Sequence, residues 1–196
     1  MIPQKLNRTH IKLLIKHLRE LKDEDRRLRF GGVLNDEMIK SYVEKSFKDK
    51  DSQWFGCLSH NKIISACHAA IYNGEGELGC SVSVGHRGEG LAQKMFDRAV
   101  TYLRSNGITN VYMHCLTENQ AMRHIAKKND MTIISCYGET DARVEVTPGD
   151  SMSAIKDAYL DRMAMYDMMF RTNAEMYEAF LEKFGYDKRF RTTRTG

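Results

Sequence analysis

The sequence predicts an α/β fold in which a mixed, mostly antiparallel β-sheet is flanked by helices and followed by a C-terminal helical hairpin. Apolar residues alternate along the chain between the 3.6-residue period of helices and the two-residue period of strands. A loop with three glycines joins a strand to a helix near residue 88, and two apolar stripes at helical spacing follow Pro148. With 196 residues, 42% of them apolar, the chain is long enough for one sizeable core.

Two amphipathic helices are predicted before the first strand. Thr9 can cap a helix whose apolar stripe runs through residues 11–21. After Gly31 and Gly32, a second stripe with spacings of three and four covers residues 38–47. The chain is therefore expected to begin with helices and to enter the sheet afterwards.

Three β-strands are predicted next, over residues 54–59, 63–72 and 77–84. Short polar turns separate them. The second turn contains Asn73 followed by Gly74, which is the strongest short signal for a two-residue hairpin because both residues tolerate positive φ. This turn predicts an antiparallel pairing of the second and third strands.

The loop after the third strand is predicted to bind an anion. Gly85, Gly88 and Gly90 let backbone N–H groups approach a phosphate at the start of the next helix, whose dipole favours negative charge there. The Walker pattern needs a Lys-Ser/Thr pair after its last glycine, but Leu91 follows Gly90. The dinucleotide pattern needs a glycine where Gln93 stands. We therefore predict a phosphate loop of another type.

Helix and strand alternate after this loop. The helix from Leu91 is expected to end at Gly107, a favourable residue just beyond a helix C-terminus. The next strand, residues 111–115, is reached through that helix, so it should lie parallel to the strand before the loop. A helix from Asn119 and a strand over residues 131–137 complete the predicted sheet.

The last quarter of the chain is predicted to form the helical hairpin. A Thr-Pro pair at residues 147–148 is typical of a helix start, and residues 172–175 have the pattern of a capping box that starts a second helix, ending at Gly185. We accordingly divide the chain into a domain of residues 1–140 and a helical extension of residues 141–196 that ends in a basic tail. The stripes are rich in methionine and aromatic residues, which favours a homodimer surface over a lid on the same chain.

Composition and charge narrow the function classes. The net charge of +4 does not demand nucleic acid as a partner, and no apolar run approaches the length of a membrane span. The N-terminus lacks the apolar segment of a signal peptide, so the cytoplasm is the expected location. The five cysteines fall in predicted strands without a C-x-x-C pair, so we expect buried reduced thiols and no metal site.

Residues 87–92 resemble motif A of the GNAT N-acetyltransferases, which is usually written Q/R-x-x-G-x-G/A. Residues 77–84 are similar to the family's fourth strand, with an acidic residue at its start, and residues 111–115 are similar to its fifth. Residues 118–123 resemble the next helix of the family, which begins with an asparagine. Residues 25–30 are similar to a branch that includes bacterial protein-lysine acetyltransferase domains.

This resemblance implies a GNAT-type sheet whose parallel fourth and fifth strands splay apart around acetyl-CoA. It implies direct transfer of the acetyl group from acetyl-CoA to a primary amine. Glu77 is the implied general base, since an amine with a pKa near 10.4 must lose a proton before it attacks. The residues expected to bind acetyl-CoA come from the motif, the strand before it and the helix that follows: Val82, Val84, Arg87, Gly88, Glu89, Gly90, Leu91, Ala92, Asn119 and Arg123.

The sequence departs from the family pattern at two places. Ala126 stands where many members have a tyrosine that acts as general acid towards the leaving thiolate. An ordinary thiol has a pKa of about 8.5, so coenzyme A leaves as an anion without that acid, and Tyr112, Tyr137 or His114 are the alternatives. The usual Gly-Phe before the sixth strand is replaced by residues 130–131. A divergent or inactive enzyme is therefore an alternative.

The sequence leaves the identity of the acceptor open. A protein lysine or N-terminus is one alternative, and a small amine such as a polyamine or an antibiotic is another. A catalytically weak regulatory module that binds acyl-CoA is the third. The loops that set specificity vary freely among proteins of one fold, so the predicted partners are acetyl-CoA, an amine acceptor and a second copy of the chain.

Overall fold

The computed structural model describes residues 1–136 and 138–183, and it is an α/β structure with one mixed sheet. Its strands are β1 (Gln4–Lys5), β2 (Ser52–Ser59), β3 (Lys62–Tyr72), β4 (Glu75–Val82), β5 (Asn110–Leu116), β6 (Thr132–Cys136) and β7 (Glu139–Glu145). Its helices are α1 (Ile11–Arg19), α2 (Asp23–Phe30), α3 (Asp36–Ser46), α4 (Leu91–Ser105), α5 (Gln120–Lys128) and α6 (Ser151–Lys183). Short 3₁₀ turns cover Arg8–His10 and Val84–His86.

The seven strands form one sheet in the order β1-β2-β3-β4-β5-β7-β6. Every neighbouring pair is antiparallel except β4 and β5, which α4 connects. The predicted parallel pair is thus confirmed. Asn73 and Gly74 have φ angles of 50° and 81° in the turn between β3 and β4, which confirms the predicted hairpin.

Helices cover both faces of the sheet. On one face, α1 and α3 enclose a core that includes Leu14, Ile39 and Trp54. On the other face, α4 and α5 enclose a larger core that includes Met95 and Met113. Strand β3 is buried along most of its length because helices pack against both of its faces, so its sequence reads as an apolar run rather than an alternation.

Helix α4 carries the chain from the glycine loop into the larger core. Its side chains Leu91, Met95 and Ala99 recur every four residues and are buried. Gly107 ends the helix in the left-handed conformation, with φ of 79°, as predicted. The N–H of Ile108 donates to the Leu103 carbonyl over 3.0 Å and closes the last turn.

The prediction of a C-terminal helical hairpin is wrong, because Ser151–Lys183 forms one helix of 33 residues. The capping box predicted at residues 172–175 lies inside this helix. No glycine or proline occurs between Gly149 and Gly185, so the sequence contains no strong helix breaker to separate two helices. The helix end predicted at Gly185 and the basic tail lie outside the described residues.

Three elements were missed by the periodicity analysis. None of the eight residues of α2, all of them described, is buried, so this helix has no buried apolar stripe to detect. Strand β1 has only two residues. Strand β7 is largely polar and buries Thr140 and Ala142 among its described side chains. The boundary expected between residues 140 and 141 falls inside this strand.

The cysteine prediction is confirmed for the thiols that the structure describes: Cys57, Cys67, Cys80 and Cys115 are free and buried. Within residues 1–136 and 138–183, no helix combines the length and the apolar content needed to cross a membrane.

Candidate active site

A cavity of about 770 Å³ lies where the last residues of β4, the start of α4, α5 and α2 meet. Most of its described lining is apolar or backbone, and charged groups stand at its rim. Seven of the ten residues predicted to bind acetyl-CoA line it: Val82, Arg87, Gly88, Gly90, Leu91, Ala92 and Asn119. The structure therefore brings most of the predicted set to one place.

The glycine loop leaves the start of α4 open to a ligand. Gly88 and Gly90 have φ angles of 83° and 72°, and a Cβ at either position would meet no described atom within 4 Å. No described side chain caps α4, and the first helical hydrogen bond runs from the Lys94 N–H to the Gly90 carbonyl. The amide groups of the first turn are thus free to bind an anion such as a pyrophosphate.

Strands β4 and β5 separate beside the cavity. Their parallel pairing runs from Glu75 and Asn110 to Glu77 and Tyr112, and the described strands add no pair beyond it. The remaining β4 residues towards Val82 keep β3 as their partner on one side only. Their other backbone edge faces the gap, where an extended chain with amide groups can pair with it. This edge suits the pantetheine arm of a coenzyme A molecule.

Glu77 stands at the last paired residue of β4, where the two strands separate. Its Oε2 atom accepts a hydrogen bond of 3.2 Å from the hydroxyl of Tyr112, its register partner on β5. Burial, and then the Glu77 charge, raise the pKa of Tyr112 to about 12, so its hydroxyl stays protonated at neutral pH. A carboxylate and a phenol that remains protonated therefore lie together at the point of separation.

Three predicted cofactor residues lie elsewhere. Val84 is half exposed in the 3₁₀ turn that follows β4, so it is not part of the strand edge. Glu89 pairs with the ring of His86 over 3.0 Å on the surface of the loop. Arg123 is on α5 outside the cavity lining, and its Nη1 donates to the Thr117 carbonyl over 3.3 Å.

The side chain of Asn119 is already used within the fold. Its Oδ1 accepts from the Met122 N–H over 3.1 Å and caps α5, while its Nδ2 donates to the Leu28 carbonyl over 3.1 Å. Asn119 therefore fixes the start of α5 and ties it to α2.

The replacement of the family tyrosine leaves no hydroxyl at that position, since Ala126 is a buried core residue of α5. His114, one of the alternative acids, is exposed, and its Nδ1 lies 2.7 Å from Asp141. The side chains of β5 alternate, and Met113 and Cys115 take the buried positions instead. Tyr137 lies outside the described residues.

Helix α2 forms a wall of the cavity that the sequence did not reveal. Asp25, Leu28 and Arg29 line the cavity from this helix. Asp25 pairs with Arg87 of the glycine loop over 2.7 Å, and Arg27 pairs with Glu118 before α5 over 2.5 Å. Acidic residues at residues 23–25 and a glycine at residue 31 were available as signals for this helix.

Comparisons with known proteins identify the family and the fold of the chain. The family model described as "Acetyltransferase (GNAT) family" matches residues 15–131. A sequence comparison with curated proteins finds no match. The GNAT domain of S. lividans PAT is similar with a TM-score of 0.64 and 16% identity, over 74% of this chain and 89% of that one.

Two further similar structures contain coenzyme A. RimL, described as a ribosomal L7/L12 alpha-N-protein acetyltransferase, has a TM-score of 0.58 and 15% identity, over 74% of this chain and 93% of that one. The PaiA N-acetyltransferase from Thermoplasma acidophilum has a TM-score of 0.56 and 14% identity, over 73% and 97% respectively. At these sequence identities, the similarity shows a shared fold and nothing beyond it.

Proposed function

Because the chain belongs to the acetyltransferase (GNAT) family, whose co-substrate is acetyl-CoA, we propose that it transfers the acetyl group directly to a primary amine. One observation carries the proposal. The cavity extends from the uncapped helix N-terminus at the glycine loop along β4 as far as Cys80, and Glu77 stands three residues earlier on β4, outside the cavity lining, where β4 and β5 separate. The first feature suits the cofactor's pyrophosphate, and the second suits a proton acceptor for the amine.

Cofactor binding is assigned to backbone groups more than to side chains. The amides of Gly90, Leu91 and Ala92 bind the pyrophosphate, and the free edge of β4 up to Val82 pairs with the pantetheine arm. Arg87 adds a positive charge at the glycine loop, where it forms an ion pair with Asp25. The predicted roles of Val84, Glu89 and Arg123 find no support in their positions.

Glu77 acts as general base on the incoming amine. A lysine-type amine with a pKa of 10.4 is charged at pH 7, and removing its proton costs roughly 4.6 kcal/mol. When bound, acetyl-CoA supplies an acyl carbon that this amine attacks, and coenzyme A leaves as a thiolate. Tyr112 keeps its proton at neutral pH, so its hydroxyl can donate a hydrogen bond to the leaving thiolate in place of the acid that Ala126 lacks.

Three acceptor classes follow from the sequence: a protein lysine or N-terminus, a small amine such as a polyamine or antibiotic, and no acceptor at all in a regulatory module. The name of the RimL neighbour gives a ribosomal protein as its acceptor, and the names of PAT and PaiA give no acceptor. The test is release of free thiol from acetyl-CoA with peptide, polyamine and aminoglycoside panels. Binding of acetyl-CoA without release on any panel would favour the regulatory module.

We also propose that α6 pairs with a second copy of the chain. Its polar side faces the domain, where Asp157 and Asp161 contact Lys5 over 2.7 Å each and also pair with the buried Arg98. Its apolar side faces outwards. The outward side chains follow one stripe along the helix and are 41–68% exposed: Met152, Ile155, Tyr159, Tyr166, Phe170 and Tyr177.

A two-fold axis favours a second copy as the cover for this stripe, because an antiparallel pair of α6 helices lets one stripe cover itself. The stripe runs for roughly 38 Å at 1.5 Å per residue, and monomers rarely expose an apolar patch of that extent. Sedimentation equilibrium should give a dimer that Tyr159→Glu with Phe170→Glu dissociates. Ala154→Glu with Ala158→Glu, which lies on an exposed side away from the stripe, is the matched control. A monomer at micromolar concentration would contradict the proposal.

The cytoplasmic location stays a prediction.

A further inference from the structure

Arg29 brings a positive charge into the cavity, and two of its three guanidinium nitrogens have no partner among the described residues. It is the residue before the last of α2 and lines the cavity. Its Nε and Nη2 atoms are shielded from solvent and have no hydrogen-bond partner among the described residues. By contrast, Asp25 and Arg27 on the same helix both form ion pairs. Guanidinium nitrogens that are shielded from solvent and unpaired are unfavourable, so their presence needs a reason.

The fold holds a place for this guanidinium. A Cβ built on Gly79, in the middle of β4, would lie 2.4 Å from Cζ of Arg29, so a side chain at this position would displace the guanidinium. Glycine inside a strand weakens the strand and often marks a close approach. The guanidinium also packs 4.9 Å from the ring centre of Phe30 and 6.0 Å from that of Trp54. These contacts orient it against the sheet.

The side chains on the sheet side of Arg29 are neutral, whereas the acidic residues of the cavity, Asp25 and Glu118, are paired with Arg87 and Arg27. Burial, and then the Arg29 charge, lower the pKa of His17 to about 4. The same two causes lower the pKa of His68 to about 3. Burial raises the pKa of Cys67, so it stays a thiol at neutral pH. None of these side chains, which come from α1 and β3, supplies a negative charge to Arg29.

The unpaired atoms indicate which ligand would satisfy them. Nε and Nη2 form the edge of a guanidinium that binds a carboxylate through two parallel hydrogen bonds. The cofactor's pyrophosphate lies at the other end of the cavity, since Gly79 precedes the end of β4 by three residues, or roughly 10 Å of strand. Glu77 is two residues from Gly79 on the same face of β4, about 6.6 Å along the strand.

We propose that Arg29 binds a carboxylate of the acceptor, and that the acceptor is a small amino acid whose amine reaches Glu77. This inference rests on the proposed acetyl transfer and names its substrate class. Arg29 carries its guanidinium on a long flexible side chain, so rotation of that side chain can turn the shielded edge towards the ligand while α2 stays in place. The Arg29 charge also favours the neutral form of a nearby amine, which is the form that attacks.

The test compares acids with their amides. Common L-amino acids, β-alanine and γ-aminobutyrate, each beside its carboxamide, are measured in two ways. Calorimetry follows binding to the protein loaded with coenzyme A, and thiol release follows transfer from acetyl-CoA. At least one acid should surpass its amide by roughly 10²-fold or more, because the amide leaves the buried charge unpaired. Arg29→Met should reduce the preference to within about threefold, and Arg29→Lys should retain part of it.

Controls separate this role from a structural one. Lys22→Met, at an exposed position just before the same helix, should leave the preference unchanged. Arg29→Met should match or exceed the wild-type Tm, since it removes an unpaired buried charge, and a marked fall in Tm would overturn the inference. A rate loss in Arg29→Met that is equal for acids and amides would place Arg29 on the cofactor and also overturn it.

The two proposals fail separately. Acid-selective binding without thiol release would refute acetyl transfer and keep Arg29 as a carboxylate site. Thiol release with equal use of acids and amides would keep acetyl transfer and refute the carboxylate site. Absence of any acid preference in both measurements overturns the inference whether or not transfer occurs.

Discussion

Glu77→Gln should lower kcat/KM at pH 7 by roughly 10²–10⁴, the range that a positioned general base contributes. The structure allows the effect to be isolated, because the glutamine carbonyl can still accept the 3.2 Å hydrogen bond from Tyr112. Without a base, the reaction depends on amine that is already neutral, a fraction of roughly 10⁻³·⁴ for a pKa of 10.4 at pH 7. The deficit should therefore shrink by about tenfold per pH unit towards pH 10.

The assay is thiol release from acetyl-CoA across pH 6–10, with calorimetry to show that acetyl-CoA affinity is unchanged. Glu75→Gln is the matched control, since Glu75 lies on the same face of β4 two residues earlier and pairs only with Arg143 among the described residues, over 3.2 Å. It should keep the wild-type rate. A wild-type rate for Glu77→Gln at pH 7, or a deficit that does not change with pH, would refute the assignment of Glu77 as the base.

Three other variants test other parts of the site. Gly90→Glu should abolish acetyl-CoA binding in calorimetry, because the new carboxylate would occupy the pyrophosphate position. Gly107→Glu is the control and should bind acetyl-CoA normally, since Gly107 has a similar φ of 79° but lies at the other end of α4. Tyr112→Phe should lower the rate by a factor that is constant from pH 6 to 10. The pKa of the Tyr112 hydroxyl is raised to about 12, so this hydroxyl stays protonated across the whole range. A loss that varied with pH would contradict the role of Tyr112 as a donor to the thiolate. Asp25→Asn should tighten acetyl-CoA binding by up to about fivefold because it frees Arg87, and high salt should remove this effect. Glu24→Gln is the control, because Glu24 pairs with Arg27 and not with Arg87. Unchanged affinity in Asp25→Asn would show that Arg87 does not contact the cofactor.

The sequence predicted the elements whose signal is local. The Asn73-Gly74 turn, the stop at Gly107 and the parallel return through α4 follow from short-range chemistry and chain connectivity. The glycine loop was equally predictable from the sequence, since the positive φ angles at Gly88 and Gly90 favour glycine independently of the neighbouring residues. The hairpin prediction failed because the capping pattern at residues 172–175 is also compatible with the interior of a helix. A capping pattern marks the start of a helix only where the residues before it are not themselves helical.

The parts of the site that the sequence could not reveal depend on contacts across the fold. Helix α2 has no buried residue, so no periodicity marks it, and its position is fixed by ion pairs from Asp25 and Arg27 to loops some 60 and 90 residues away. In the sequence, Arg29 is one of three arginines within residues 26–29, and nothing local distinguishes it. It differs from its neighbours in the space left by Gly79 and in its Nε and Nη2 atoms, which have no partner within the described part of the chain. Residues that bind through a charge held by distant parts of the chain are thus visible only once the fold is known, whereas residues that bind through their own backbone conformation are visible in the sequence.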